Sequence, residues 1–168
     1  MAMNPGIDVA AAVLDASFVV AICAREAGSE PIALAELRRL TLLGCAFYAP
    51  GVLSAEVLFV LCRMRTDGRL DPKAYQQSVV ALEKLLTAIL PPRGGEASLI
   101  TRANALRGEY TCRRTSDSLY LALAEQLSQS NQTVLLTFDK ELLKQANGAV
   151  PGIEVLVLTR PSGSAPAG

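Results

Sequence analysis

The sequence predicts an α/β domain of three layers, with helices on both faces of a central, mainly parallel sheet. Three observations predict it. Short apolar runs suited to strands fall at residues 7–14, 46–49, 133–137 and 153–158. At least one helical segment separates each run from the next, and strands joined through helices pair in parallel with both faces of the sheet covered. A chain of 168 residues, 51% hydrophobic and 19% charged, is long and apolar enough for one domain with a real core.

Residues 1–6 read as a loose leader, and residues 7–14 (IDVAAAVL) as a strand ending on Asp15. A short helix follows at 16–25, closed by Gly28 and Pro31. The second helix spans 31–43, with Pro31 in its first position and Gly44 as its stop. Residues 46–49 form a brief strand, and Pro50-Gly51 turns the chain. The third helix, 52–65, is apolar nearly all round, as for a buried or sandwiched helix. Its narrow charged stripe holds Glu56 and Arg63, either paired with each other or with Glu56 left as a functional carboxylate. Asp67-Gly68 turns, and Asp71-Pro72 opens a fourth helix over 72–90 with the stripe Val79, Leu82, Leu85, Leu86, Ile89. After a Pro/Gly loop, a fifth helix covers 96–107. The stretch 113–140 (RRTSDSLYLALAEQLSQSNQTVLLTFDK) is then a helix, a turn and a strand in one run. Thr115 or Ser116 caps that helix, Glu125, Gln126 and Gln129 mark its wet side, and Asn131-Gln132 breaks it. A short helix at 140–146 and a last strand at 153–158 complete one domain, residues 1–160, before a Pro/Gly/Ser/Ala tail at 161–168.

Composition removes several chemistries. Formal net charge is zero, so global charge supplies no attraction for a polyanion, and only a local basic patch could. There is no histidine, which excludes Ser–His–Asp and Cys–His catalysis and His-bearing zinc sites. No Gly-rich turn for a dinucleotide, no P-loop and no D-x-D after the first strand is present. Cys23, Cys45, Cys62 and Cys112 are widely spaced and read as small buried hydrophobes in a reducing compartment. The apolar run 9–23 carries Asp15 at its centre and lacks a basic start, so it is neither a signal peptide nor a membrane span, and the protein is expected in the cytoplasm.

What remains is carboxylate chemistry. Asp15 and Asp139 each follow a strand, at the carboxyl rim where α/β sheets bind ligands. Asp117 and Glu56 lie near the starts of helices that can reach the same rim. At 100° per residue Asp117 shares a side with Leu121 and Ala124 rather than with Ser118, Ala122 and Glu125, which aims a charge toward the core. A helix-dipole role in the first turn is the plainer alternative. Four convergent carboxylates would repel without a cation, and hard oxygen donors suit Mg²⁺ or Mn²⁺.

The segments V-L-D-A-S at 13–17, S-A-E at 54–56, S-D-S-L-Y-L-A-L-A at 116–124 and L-L-T-F-D at 135–139 resemble the PIN domain, closest to the toxin half of bacterial VapBC toxin–antitoxin pairs. The resemblance runs from about Ile7 to Leu158 and implies a PIN-like fold. It implies Mg²⁺- or Mn²⁺-dependent cleavage of RNA by a pocket of Asp15, Glu56, Asp117 and Asp139. Asp15 and Asp117 would be the main metal ligands, Asp139 a direct or water-mediated one, and Glu56 the group that orients or activates water. Thr137 fits the family's hydroxyl before the last Asp, and Ser17 lies near the first. A small antitoxin and a homodimer are the implied protein partners. The alternative is a PIN-like module that binds RNA or protein and cuts little. Arg113 and Arg114, with Arg102 and Arg107, are the nearest cations for RNA, with a solvated helix face as the plainer reading. The apolar third helix and the stripe of the fourth leave surface on which a homodimer could be built.

Overall fold

Twelve elements follow one another in the computed structural model, which describes residues 9–107 and 115–160. They are β1 (Ala11–Leu14), α1 (Ala16–Cys23), α2 (Glu30–Leu42), β2 (Ala46–Tyr48), α3 (Val52–Thr66), α4 (Pro72–Leu86), β3 (Ile89–Leu90), α5 (Ala97–Arg107), α6 (Thr115–Ser128), β4 (Thr133–Thr137), α7 (Lys140–Ala149) and β5 (Glu154–Val157). The sheet has the order β3-β2-β1-β4-β5, and every neighbouring pair is parallel. The chain therefore moves outward from β1 through β2 to β3, then returns to the other side of β1 for β4 and β5. The order reverses between β1 and β4, where Leu14 lies opposite Leu136. Such a reversal opens a crevice at the carboxyl ends of the two strands.

Every residue of β1 and β4 is buried, which requires a helical layer on each face. Helix α1 packs on α2, α3 and α4, while α6 packs on α5 and on β1 and β4, and α7 packs on β5. Phe18, Leu53, Leu61, Tyr120, Leu121, Leu123, Leu135 and Leu136 fill the centre of the core. Helix starts are set by local chemistry. The carboxylates of Asp15, Asp71 and Asp139 accept backbone N–H bonds at the starts of α1, α4 and α7, satisfying donors that a helix leaves open. Gly44 closes α2 with φ 73°, a conformation that strains any residue bearing a Cβ.

Three expectations are corrected. The fourth helix stops at Leu86, and Ile89–Leu90 becomes a two-residue edge strand beside β2. Ala49 N–H donates to the Leu90 carbonyl at 3.2 Å, so edge pairing replaces the last helical turn. Helix α3 is not sandwiched: it buries Leu53, Val57, Leu61 and Met64 but leaves Leu58, Phe59 and Cys62 exposed. In α6, Ser118 and Ala122 are buried along with Leu121 and Ala124, because the helix lies between the sheet and α5. Cys23 and Cys45 are buried as expected, and burial pushes both thiols up to about 11. Cys112, the leader through residue 8, and the tail at 161–168 lie outside the described residues. Among those described, no helix is long and apolar enough to cross a membrane.

Candidate active site

Asp15 sits at the reversal, immediately after β1, and its backbone N–H continues the ladder by donating to the Leu136 carbonyl at 3.1 Å. Its side chain is buried. Oδ2 accepts from the Ser17 N–H at 3.2 Å, the Ser17 hydroxyl at 2.6 Å and the Thr137 hydroxyl at 2.8 Å. The two hydroxyls also accept. Ser17 Oγ takes the Phe138 N–H at 2.9 Å, and Thr137 Oγ1 takes the Asp139 N–H at 2.9 Å. Their oxygens lie 3.2 Å apart, and with both hydroxyl protons on Asp15 neither needs to bridge to the other. This web stitches the end of β4 to the end of β1. Burial raises the Asp15 pKa above the ordinary carboxylate value, and the bonds from Ser17, Thr137 and the Ala16 N–H oppose that rise.

Asp139 turns its own carboxylate onto α7, where Oδ1 accepts the Glu141 N–H at 2.8 Å. Its link to Asp15 runs through its backbone N–H and Thr137 rather than through its side chain. Asp117, in the first turn of α6, accepts from the Gln145 amide at 2.9 Å, and Gln145 itself is buried on α7. Glu56 on α3 accepts from the Tyr120 hydroxyl at 2.7 Å. Of the two readings left open for Glu56, a pairing with Arg63 is not seen among the described residues, and Tyr120 is its partner instead.

Tyr120 ties the carboxylates together electrostatically. It is fully buried, and its pKa is raised first by that burial, then by the charge and hydrogen bond of Glu56, and further by the charges of Asp15 and Asp117. Three of the four expected carboxylates thus act on one phenol. Sequence reasoning did not single out Tyr120 or Gln145 as hydrogen-bond partners of these carboxylates. The signal for Tyr120 was its place three residues after Asp117, on the same helical face.

Other expectations resolve differently. Arg113 and Arg114 lie outside the described residues. Arg102 is held in a two-point contact with Glu125, at 2.6 and 2.8 Å, and Arg107 donates to Asn104 at 3.1 Å. Among the described residues no lysine or arginine pairs with Asp15, Glu56 or Asp139. Among those same residues no three acidic or thiol side chains form a ready-made ligand group. The donor set still suits a hard cation, because Mg²⁺ takes only one or two carboxylates directly and keeps waters for the rest. A buried Asp15 with no cationic partner among the described residues, near a Tyr120 whose pKa is raised first by burial and then by the charges of Glu56, Asp15 and Asp117, is a setting that such a cation relieves.

A family model, the PIN domain, matches residues 12–148. Solved structures with a similar fold include VapBC2 from Rickettsia felis bound to a DNA fragment from its promoter, at 15% identity and a TM-score of 0.61, covering 89% of this chain and 99% of that one. FitAcB from Neisseria gonorrhoeae is similar at 18% identity and a TM-score of 0.55, covering 86% and 96%. A structure of FitAB bound to the IR36 DNA fragment is similar at 17% identity and a TM-score of 0.51, covering 87% and 94%. No curated protein matches the sequence.

Proposed function

The chain belongs to the PIN domain family, and from that premise we propose that it is a metal-dependent endoribonuclease of the VapC toxin type, hydrolysing RNA phosphodiester bonds with Mg²⁺ or Mn²⁺. The observation that carries this is the buried Asp15 at the β1–β4 reversal, with no cationic partner among the described residues and with Glu56 and Asp117 acting on the same phenol. Asp15 and Asp117 would hold the ion, with Asp139 contributing directly or through water. When bound, the ion would offset the carboxylates, polarise the phosphodiester and lower the pKa of a coordinated water.

The chain's own groups supply orientation. Ser17 and Thr137 lock one oxygen of Asp15, and Gln145 locks one oxygen of Asp117. Tyr120 holds Oε2 of Glu56, which leaves Oε1 to accept a proton from an attacking water. Neutral overall charge asks the RNA to be held locally rather than by the field of the whole protein. VapBC2 and FitAB were solved as complexes, which supports a small antitoxin as partner here. A homodimer built on the open apolar side of α3, with Leu58 and Phe59, belongs to the same proposal.

The test is cleavage of single-stranded RNA. Mg²⁺ or Mn²⁺ supports it, excess chelator stops it, and Asp117→Asn abolishes it while the circular dichroism spectrum is retained. Undiminished cleavage in chelator would overturn the proposal. The binding-module alternative predicts RNA retention without cleavage and no heat on titration with a divalent ion.

A further inference from the structure

We propose that a groove along α4, walled by Arg25, Lys73 and Lys84, binds the phosphodiester backbone of the RNA strand that the rim cuts; this rests on the reading of the rim as a ribonuclease site. The cavity holds about 520 Å³ and is also lined by Gln76, Gln77 and Val80. Among the described residues no carboxylate lines it. Outside the groove Arg39, Arg69, Arg102, Lys144 and Arg160 each meet a glutamate, whereas Arg38, Arg63, Arg65, Arg93 and Lys140 form no ion pair among the described residues. Among the described residues Arg25, Lys73 and Lys84 form no ion pair. Glu26, beside Arg25, is already taken by Arg69 and Arg160. In a chain of zero net charge, this is a local field for an anion.

The shape favours a strand over a small anion. Lys73, Gln76, Gln77, Val80 and Lys84 recur on one face of α4, and Lys73 and Lys84 stand roughly 16 Å apart along the helix. Two glutamine amides between the cations can donate to phosphate or sugar oxygens without reading a base. At the other wall, Arg25 has φ 53°, a left-handed conformation uncommon for a residue with a side chain. The end of α4 also lies near the rim. Leu86, on the opposite face of α4 from Lys84, joins Ser54 in lining a cavity of about 220 Å³ beside β2 and β3, and Ser54 belongs to the first turn of α3, the helix that carries Glu56.

The experiment measures binding and cutting separately. Fluorescence anisotropy follows a labelled single-stranded oligouridylate, long enough to span groove and rim, on the Asp117→Asn background over a series of salt concentrations. The triple variant Arg25→Ala/Lys73→Ala/Lys84→Ala, altered only at exposed side chains, is compared with the control Arg38→Ala. The expected result is a fall in affinity on the order of tenfold or more at low salt, and a salt slope shallower by roughly 2, about 0.7 for each phosphate no longer neutralised. The control leaves both unchanged. Equal affinity and equal slope in the triple variant would overturn the groove. So would a triple variant that loses binding of polyglutamate but not of oligouridylate, because the groove would then serve an acidic polypeptide. Cleavage by the protein with Asp117 intact is scored independently. Cutting with an unchanged slope removes the groove and keeps the ribonuclease; a reduced slope without cutting does the reverse; neither binding nor cutting removes both.

Discussion

Glu26, Glu36, Glu125 and Glu141 each lie against an arginine or lysine, whereas Asp15 and Glu56 have hydroxyl, amide and phenol donors and no cationic partner among the described residues. The first group ranges from 14% side-chain exposure at Glu36 to 47% at Glu141, so water screens part of each charge and a pair adds modest stability. Asp15 directly follows β1, where burial raises its pKa, Glu56 lies one turn into α3, and the charges of Glu56, Asp15 and Asp117 reinforce the raised pKa of Tyr120. The chain pairs these glutamates with cations and leaves the buried Asp15 without one among the described residues. Such an arrangement is characteristic of a site kept for something external.

Breaking the inner set should therefore do more than breaking the outer one. The largest expected effect is on activity: Asp117→Asn lowers RNA cleavage by about 10²–10³-fold, as for the loss of a placed electrostatic group, while Glu125→Gln leaves the rate alone. Gel-resolved initial rates compare the two. Next is Thr137→Val, which takes one donor from Asp15 and the acceptor from the Asp139 N–H. Urea unfolding should show a loss of about 1–3 kcal/mol, and Thr137→Ser should restore most of it. Tyr120→Phe removes the donor to Glu56, which is partly exposed and can rehydrate. A rate loss on the order of tenfold is expected, with a stability change near ~1 kcal/mol. The smallest effect is Arg102→Gln, which breaks an outer pair and should change stability by less than about 1 kcal/mol.

The contrast also has a pH signature. The folded pKa of Asp15 lies above its ordinary value of 3.8, so the folded chain holds that proton to higher pH than the unfolded chain. Between 3.8 and the raised value the folded state binds more protons, and stability falls as pH rises through that window. Melting temperatures recorded in chelator across acidic pH should show this decline, and Asp15→Asn should remove its share.

Much of this was legible beforehand because it is local. The apolar runs of β1 and β4, the helix start at Asp71-Pro72, and the stop at Gly44 all carry their cause within a few residues. The edge strand β3 was not, since Ile89 extends the apolar stripe of α4 and only pairing with β2 reveals it. Tyr120 reads as core because it lies in an apolar run, and its partner Glu56 is 64 residues away in the chain. Gln145 and Asp117 are joined only when α7 folds onto α6. The α4 groove needed Arg25 and Lys84 to meet across the fold. Strand ends mark where carboxylates stand, but the donors that hold them come from other elements.

Calorimetric titration of Mn²⁺ into the metal-free protein and into Asp15→Asn tests the central claim most directly, because it reads the cation without reference to any substrate. Saturable binding to the natural chain, abolished or strongly weakened by Asp15→Asn, is the predicted result. No binding at all, or identical binding to both proteins, would contradict the assignment of the β1–β4 rim as a divalent-cation site.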